Sequence, residues 1–493
     1  MRKKTAFFIL IVIIIFGVFF VNQSIGNKEH FLHKIKSYIP KSTRVFLKEN
    51  IFVFKHKQEL KQRIELLSKE IDELVITQGK VERKLENLLT LHGSIPLQKI
   101  EKDKKLKINN STYILKKFKT EFLFIGKHPG STGSSYLDYF DNKLFIVSAT
   151  GILGYVNADK FNSNRFDISI IPTNIKDLIK YDNFYLETAY GIKDILIYKN
   201  RIYLSYINEL RKNCYNTSII ASNLNYDKLI FEKFFTPNFC VDKNNEYGEF
   251  QPHQSGGRMF PFKEDKILFS IGEYRFRDLA QKKENLFGKV IMLDLNNKKS
   301  KIISIGHRNP QGLYYNEKRN IIISTEHGPT GGDEINLNIS PDEEIKNYGW
   351  PVSSYGTKYF AIKYRDENSK YNDPKLYKSH KEHGFIEPIK YFESSVAISE
   401  IIEISRNNEE NAKMEILVGT MGHEGGINEG MMSLHYFELE NNGNIVSSEV
   451  IPMNERVRDI INVKEIEKIF LFLETSASIG LLEKTKWFWK QKK

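Results

Sequence analysis

A short pattern that returns at regular intervals constrains the fold of this chain more than any other feature of its sequence. Each copy pairs a polar turn, containing Asn, Asp or Lys, with a strand-like run of β-branched and aromatic residues. Most of the six copies are 53 to 65 residues apart, with a longer interval before the fifth. Their sequences are DNKLFIVS from Asp141, KNRIYLSY from Lys199, EDKILFSI from Glu264, EKRNIIIS from Glu317, AKMEILVG from Ala412 and IEKIFLFL from Ile466.

Each interval has room for about four short strands. Regular β units of that size predict a β-propeller with one blade per copy, and therefore six blades. The aromatic content of 13% agrees with a β-rich domain. We therefore predict an all-β, six-bladed propeller over residues 121–490, with an insertion before the fifth copy; a pair of irregular β-sandwiches is the alternative.

The N-terminus predicts export from the cytoplasm. A basic cap, Met1–Lys4, precedes an uninterrupted apolar run from Ala6 to Val21. The run is long for a signal peptide and slightly short for a membrane span, so residues 1–26 are either an uncleaved anchor or a cleaved signal. Both place the rest of the chain outside the cytoplasm, because the basic residues stay inside. We favour a single-pass membrane protein with a periplasmic or extracellular C-terminal domain.

A heptad pattern follows the predicted juxtamembrane segment at residues 27–55. From Leu60 to Leu88 apolar residues alternate spacings of four and three, with one polar seam residue, Gln78. This seam predicts a coiled-coil stalk over residues 56–92 and a homo-oligomer; a single long helix packed on its own domain is the alternative. Residues 93–120, rich in Lys and Asn, are predicted to be a linker.

Composition excludes some functions and leaves one covalent question open. The net charge of +12 is spread partly through Lys-rich runs, and no nucleic-acid-binding module is recognisable. The two cysteines, Cys214 and Cys240, lack the Cys-x-x-Cys spacing of a zinc or redox site. They either form one disulfide in an oxidising compartment or remain as two buried thiols.

The densest run of polar and turn residues surrounds the fourth copy of the pattern. Gly306–Gln311 is expected to be a loop entering a blade, Ile321–Thr325 its strand and Glu326–Glu334 the next loop. Loops at one end of a propeller converge on the central channel, so these polar groups predict a ligand site. The glycines of the second loop permit a turn whose carbonyl oxygens face a hard cation, and Asp333 and Glu334 are candidate carboxylate ligands. A purely structural network of polar turns is the alternative.

Several stretches resemble the signature of the soluble pyrroloquinoline-quinone (PQQ)-dependent glucose/sorbosone (aldose sugar) dehydrogenases, a family of six-bladed propellers. GHRNPQGL, EHGPTGGDEINL and NYGWP, between Gly306 and Pro351, carry the most specific likeness. HQSGGRMFPF from His253, NLFGKVIMLDL from Asn285 and ERVRDI from Glu455 follow in the family's order. The resemblance covers about residues 125–485 and is weakest in the first two blades.

The resemblance implies oxidation of a sugar or a related alcohol, with hydride passing to PQQ. His253 matches the catalytic base of the family, and a neutral imidazole suits that role near neutral pH. Glu273 stands where the family has an aspartate that orients this histidine, and its side chain is one methylene longer.

The same resemblance implies a cofactor site. The residues that match the family's cofactor contacts are Arg308, Asn309, Gln311, Arg456 and Arg458. Arginine forks suit the three carboxylates of PQQ, because they bind carboxylates bidentately. By the same likeness, Gly328 and Pro329 would offer backbone carbonyls to a Ca²⁺ ion, with Asp333 and Glu334 in the same cation-binding loop.

Two departures from the family leave a second class of function open. The fifth-blade loop GTMGHEGGINEGMM, from Gly419, has no lysine or arginine where the family places a lysine near the cofactor. The first blade also lacks the Arg or Gln that the family often has after its strand. The alternative is a non-catalytic propeller on a stalk that binds glycans or protein partners. The retained residues His253, Arg308, Gln311 and Asp459 favour the dehydrogenase.

Overall fold

The computed structural model describes Gln62, Arg63, Leu66 and residues 93–119, 134–245, 248–357, 377–405, 413–422 and 429–485. The chain divides into two compact units, residues 1–77 and 78–493. The predicted anchor, the juxtamembrane segment and the heptad seam lie outside the described residues and stay predictions; Gln62, Arg63 and Leu66, between seam positions, are helical. Within the part of the chain that is described, no helix is long and apolar enough to cross a membrane.

The second unit is built almost entirely of strands. Its first three strands are β1 (Ser94–Lys99), β2 (Lys104–Ile108) and β3 (Ser111–Lys119). The first blade comprises β4 (Ser135–Phe140), β5 (Lys143–Ser148), β6 (Leu153–Asn157) and β7 (Arg165–Ile170). The second comprises β8 (Ile192–Tyr198), β9 (Arg201–Arg211), β10 (Cys214–Asn223) and β11 (Glu232–Phe235), and β12 (Val241–Asp242) pairs with β10. The third comprises β13 (Gly256–Pro261), β14 (Lys266–Ile271), β15 (Lys289–Asp294) and β16 (Ser300–Ile305).

The remaining blades follow the same order. The fourth comprises β17 (Pro310–Asn316), β18 (Ile321–Glu326), β19 (Asp333–Ile339) and, after β20 (Lys346–Asn347) on the edge of the third blade, β21 (Lys390–Phe392). The fifth comprises β22 (Ile398–Glu403), β23 (Met414–Thr420), β24 (Ser433–Leu439) and β25 (Ile445–Pro452). The sixth contains β26 (Val457–Val463), β27 (Lys468–Leu473) and β28 (Ser478–Lys484). Two short helices, α1 (Ile175–Leu178) and α2 (Asn183–Leu186), lie between the first two blades, and single 3₁₀ turns occupy Ala158–Asn162, Thr188–Tyr190, Arg277–Gln281, Lys381–His383 and Lys464–Ile466.

The first strands of the six blades form a closed ring. Each lies against the first strand of the next blade in the order β4, β8, β13, β17, β22 and β26, and β26 lies against β4. Neighbouring strands within each blade are antiparallel. This is the arrangement of a β-propeller, so the all-β fold class and the count of six blades are confirmed, and the paired β-sandwiches are excluded.

Every copy of the repeated pattern ends in the second strand of a blade, and its polar turn residues, where they are described, lie at or just before the start of that strand. Those second strands are β5, β9, β14, β18, β23 and β27. The two-residue turns Asp141-Asn142 and Lys199-Asn200 have left-handed backbones, with φ of 49° and 58° and of 51° and 59°. Such turns match the twist of a hairpin and favour Asn and Asp, which explains why a polar turn accompanies each strand.

The prediction that residues 93–120 form a linker is wrong. These residues hold β1, β2 and β3, and β3 pairs antiparallel with β28 as the fourth strand of the sixth blade. β1 pairs with both β3 and β7, so the N-terminal strands join the last blade to the first. The many lysines of this stretch obscure the alternation of apolar and polar residues that is typical of a strand. The apolar residues Ile95, Leu97, Leu115 and Phe118 are nevertheless all buried.

The apolar core lies between neighbouring blades. One cluster joins residues of the second and third blades, and another joins the fourth and fifth. The open question about the cysteines is settled by a disulfide between Cys214, at the start of β10, and Cys240, just before β12. The bond fixes the short edge strand β12 beside β10.

Candidate functional site

The predicted site residues gather at one end of the channel, where the first strands of the blades begin. His253 precedes β13, Arg308 and Asn309 precede β17, and Arg456 precedes β26. The second strand of each blade runs antiparallel to the first, so its C-terminal end returns to the same face. Glu273, after β14, therefore joins them.

A β-bulge interrupts five of the six first strands at this end. The register shifts fall between Ile192 and Asp194, Gly256 and Met259, Pro310 and Gly312, Ile398 and Ile401, and Val457 and Asp459. A bulge re-aims a side chain that regular pairing would hold in the sheet. The residues with charged or amide side chains inside these bulges are Lys193, Arg258, Gln311, Glu400 and Arg458.

Four of the five predicted cofactor residues share one hydrogen-bond network. Asn309 Oδ1 accepts a hydrogen bond from Gln311 Nε2 at 3.0 Å, and Gln311 Oε1 accepts one from Arg458 Nη1 at 3.4 Å. Arg458 Nε and Arg456 Nε then pair with the two oxygens of Glu474 at 2.5 and 2.9 Å. Glu474, at the end of β27, was missed in the sequence and orients both arginines.

Glu474 stays ionised although it is buried. Burial raises the pKa of this carboxyl, but Arg458 and Arg456 outweigh burial and lower the pKa to about 2. The arginine pair is therefore held by a permanent anion at neutral pH.

Arg308, the fifth predicted cofactor residue, is positioned by Glu326 at the end of β18. Glu326 Oε2 accepts a hydrogen bond from the Arg308 backbone N–H at 2.7 Å. The other carboxylate oxygen, Oε1, lies 2.9 Å from His307 Nδ1 and accepts a hydrogen bond from Asn336 Nδ2 at 2.8 Å. Arg308 Nη1 donates to the His327 carbonyl at 2.8 Å. Burial lowers the pKa of Arg308 to about 10, because Glu273 offsets only part of the desolvation.

The two predicted catalytic residues lie in different surroundings. His253 is exposed at the channel end, whereas Glu273 is fully buried. Gln254, next to His253, was missed in the sequence. With its amide assigned the orientation that satisfies both neighbours, it donates to Glu273 Oε1 at 2.6 Å and accepts from Arg308 Nη2 at 2.9 Å. Burial raises the pKa of Glu273 to about 7, against the opposing charges of Arg308 and Arg277. The structure thus joins Glu273 to the histidine loop through Gln254, and a direct orienting contact with His253 stays a prediction.

The predicted cation loop is held together by its own carboxylates. Asp333 Oδ1 accepts a hydrogen bond from the Gly328 N–H at 3.0 Å. Its Oδ2 accepts from the backbone N–H groups of Val396 and Ala397 at 3.0 and 2.7 Å. Glu334 is adjacent on the same strand, so its side chain points to the opposite face, where its Oε1 pairs with a buried histidine, His380, at 3.2 Å.

The structure therefore does not bring Asp333 and Glu334 onto one cation. No group of three or more acidic, histidine or cysteine side chains in the described residues is arranged to hold a metal ion. The turn itself is tight: a Cβ on Gly328 would lie 2.2 Å from the Gly331 carbonyl oxygen. A metal role for the carbonyls of Gly328 and Pro329 stays a prediction.

A small cavity of about 10 Å³ lies between the arginine loop and this turn. Its walls include Arg308, His327, Gly328, Glu334, Trp350 and His380. The Arg308 guanidinium lies 5.5 Å from the Trp350 ring centroid, within the range of a cation–π contact.

Arg258, on β13, joins all six blades at the centre of the ring. Its guanidinium forms ion pairs with Asp194 on β8, Glu400 on β22 and Asp459 on β26, at 3.2, 3.0 and 2.8 Å. It also donates to backbone carbonyls of β17 and β26 at 2.7 and 2.9 Å. The Tyr136 ring of β4 lies 5.0 Å away. Burial raises the pKa of Glu400 to about 7 although Arg258 opposes the shift.

Comparisons with known proteins agree with this architecture. The family model for glucose/sorbosone dehydrogenase matches residues 141–482. The aldose sugar dehydrogenase YliI of Escherichia coli is 26% identical over 242 residues, which cover 46% of this chain and 59% of that protein. Quinoprotein glucose dehydrogenase B of Acinetobacter calcoaceticus is 34% identical over 134 residues, which cover 21% of this chain and 27% of that protein. The chain thus spans less than two thirds of these relatives.

Solved structures share the fold over most of their length. The soluble aldose sugar dehydrogenase of Escherichia coli superposes with a TM-score of 0.52 at 21% identity, covering 71% of this chain and 95% of that one. The PQQ-bound form of aldose sugar dehydrogenase from Streptomyces coelicolor gives 0.50 at 16% identity, covering 73% and 97%. These likenesses show the fold, and the family model matches well over half of the chain. This chain belongs to the glucose/sorbosone dehydrogenase family.

Proposed function

We propose that this protein is a quinoprotein dehydrogenase that oxidises a sugar or a related alcohol by hydride transfer to PQQ. The supporting observation is the polar network at one end of the channel. The residues that match the family's cofactor contacts lie there, and four of them are linked to one another through Gln311, Arg458 and Glu474. A site of this kind, on loops at the end of a rigid ring, is where propellers bind small molecules.

The described residues fit a cofactor that carries carboxylates. Arg308, Arg458 and Lys193 are buried or nearly buried cations at the same end of the channel. Burial lowers the pKa of Arg308 to about 10 and that of Lys193 to about 7, because desolvation disfavours the charged form of each group. Carboxylates of a bound cofactor would stabilise the charged forms of these groups, and the guanidinium forks would fix the orientation of the carboxylates.

PQQ, when bound, would supply the hydride acceptor. The residues of the chain would bind the substrate and move its proton. His253, exposed at the channel end, would accept the hydroxyl proton while the carbon that bears this hydroxyl gives up its hydride. Glu273 would steady the histidine loop through Gln254.

We also propose a Ca²⁺ ion at the turn that begins at Gly328. The backbone carbonyls of Gly328 and Pro329 are the candidate ligands, because carbonyl oxygens suit a hard cation. Asp333 would contribute by holding the turn in shape through its hydrogen bonds to Gly328 and to the segment before β22. Bound there, the ion would act as a Lewis acid beside the quinone.

Export by an N-terminal anchor is part of the proposal. The Cys214–Cys240 disulfide supports it, because such bonds form and persist in oxidising compartments outside the cytoplasm. The heptad seam would then hold several propellers together on a stalk above the membrane.

Turnover with an artificial electron acceptor tests the activity. Purified protein is incubated with PQQ and Ca²⁺, and dye reduction is followed with a panel of aldoses and simple alcohols. We expect dye reduction that requires the quinone, the cation and an aldose together. If PQQ binds but no sugar or alcohol is oxidised, the proposal is wrong, and the propeller is better explained as a binding module for glycans or proteins.

A further inference from the structure

Lys193 is a charged residue at the channel end that neither the family likeness nor the mechanism above assigns to a role. It is the second residue of β8, and it occupies the bulge between Ile192 and Asp194. Gln311 and Arg458 hold the same position on β17 and β26, also at bulges. The geometry that aims those two residues at the channel therefore acts on Lys193 as well.

The neighbouring blade leaves room for the lysine stem. Gly257, at the bulge of β13, has φ +119°, and a Cβ on it would lie 2.3 Å from Lys193 Cβ and 3.1 Å from Cγ. Any side chain at position 257 would collide with the lysine. The aliphatic stem thus packs against a bare backbone, and only 9% of the residue is exposed.

Within the described part of the chain, the ammonium group lacks a full set of hydrogen-bond acceptors. Lys193 Nζ donates one hydrogen bond, to the Thr188 carbonyl at 3.0 Å, and the carboxylates of the described residues form no ion pair with it. The charged groups that influence it are Arg458 on β26, which lowers its pKa, and Glu474 after β27, which raises it less.

Lys289 provides a contrast inside the same molecule. It is also buried, and burial also lowers its pKa to about 7. Its Nζ donates to three backbone carbonyls, those of Leu279, Ala280 and Phe287, at 2.8, 2.9 and 2.6 Å. All three protons of Lys289 are therefore used within the fold, whereas Lys193 has one acceptor among the described residues and so has donors left for a ligand.

We propose that Lys193 binds a carboxylate of the quinone cofactor from the second blade, which is separated from the arginine pair of the sixth blade by the first blade. The inference rests on the proposed function, and it adds a cofactor contact from a blade whose sequence gave no such indication. The lysine would approach the cofactor as a point charge, while Arg458 would bind as a planar fork.

Equilibrium binding of PQQ in the presence of Ca²⁺ tests the inference, with quinone absorbance and protein fluorescence as readouts. The variants are Lys193→Met, Lys193→Arg and, as a matched control, Lys199→Met. Lys199 lies in the turn that follows the far end of the same strand, where it pairs with Asp265 at 2.5 Å. We expect Lys193→Met to raise the dissociation constant about tenfold to a hundredfold, the range of a charge-assisted hydrogen bond. Lys193→Arg should retain most of the affinity, and Lys199→Met all of it.

The pH profile of binding gives a second readout. Anion binding favours the charged ammonium, so wild-type affinity should be steady below pH 7 and fall above it, where the free lysine loses its proton. Glu273 also titrates near pH 7, but it is present in every variant. The fall should therefore be weaker in Lys193→Arg than in the wild type, because the guanidinium stays charged.

The outcomes separate the two proposals. If wild-type protein binds no PQQ, the proposed function is wrong, and the proposed role of Lys193 is refuted as well. If wild type binds PQQ and Lys193→Met binds equally well, only the role of Lys193 is refuted. Thermal unfolding of the free proteins shows whether Lys193→Met is folded; if it is not, the pH profile of Lys193→Arg decides, and a profile identical to wild type refutes the inference.

Discussion

Replacing Arg258 with methionine should destabilise the propeller in a pH-dependent way. The substitution removes the cation that pairs with Asp194, Glu400 and Asp459 at 2.8 to 3.2 Å, and it leaves three buried carboxyl groups facing one another. Breaking a buried ion pair by removing one partner typically costs about 3–5 kcal/mol. That is a large share of the total, since folded domains are stable by about 5–15 kcal/mol.

The pH dependence follows from what the carboxyl groups must do without the arginine. Burial already raises the pKa of Glu400 to about 7 in the presence of Arg258, and it raises that of Asp194 well above its ordinary value. Without the cation, further carboxyl groups must be protonated in the folded state. A carboxyl whose folded pKa is raised contributes full stability below its unfolded pKa and loses that contribution as pH rises toward the folded pKa. Each additional protonated group costs about 1.4 kcal/mol per pH unit, or about 3 kcal/mol between pH 6 and 8.

Urea denaturation of wild type and Arg258→Met at pH 6, 7 and 8 measures this effect. Arg201→Met serves as the control, because Arg201 pairs with the exposed Glu232 at 2.9 Å on the surface of the second blade. An exposed pair contributes about 0–1 kcal/mol, so the control should shift little and equally at each pH. An Arg258→Met protein as stable as wild type at pH 8, or equally destabilised at pH 6 and 8, would refute the electrostatic reasoning.

The other predictions concern the site and the stalk. His253→Ala should lower sugar oxidation by about 10²–10⁴-fold with unchanged PQQ affinity, whereas Arg308→Ala should raise the PQQ dissociation constant about tenfold to a hundredfold; turnover and binding titrations that show the same defect in both would contradict these roles. Asp333→Asn should weaken the hydrogen bonds that the Asp333 carboxylate accepts from the backbone amides of residues 396–398, so hydrogen exchange at these amides should accelerate. Unchanged protection of these amides would be evidence against this role of Asp333. Leu74→Asp should dissociate the oligomer in sedimentation experiments, because it places a charge in the apolar seam. A wild-type protein that is monomeric at micromolar concentration would refute the coiled-coil prediction.

The blade count was predictable because its signal is local. A two-residue turn such as Asp141-Asn142 and the strand that follows it lie within one short stretch, and the left-handed backbone of the turn selects the residue types. The N-terminal strands were not predictable in this way. β3 pairs with β28, more than 350 residues away along the chain, and nothing in a lysine-rich stretch identifies such a partner.

Some residues of the candidate site were predictable from the sequence and others were not. Arg308, Gln311 and Arg458 lie in stretches that resemble a known family, so the sequence pointed to them. Lys193 and Arg258 were missed because their importance comes from the convergence of separate blades on one channel. A signal was nevertheless present, since each is a charged residue near the start of a mostly apolar strand, in GIKDILIY and GGRMFPF. A charge in such a position needs a partner or a ligand.

The most direct test of the central claim is an anaerobic absorbance titration of the protein with PQQ and Ca²⁺, followed by addition of an aldose without any electron acceptor. The account predicts a saturable spectrum of bound quinone that changes to the reduced form in a single turnover, in proportion to the sites filled. Chelation of Ca²⁺ before the aldose is added should prevent that change, and restoring the ion should allow it. A protein that binds no quinone under these conditions, or one whose bound quinone stays oxidised with every aldose, would contradict it.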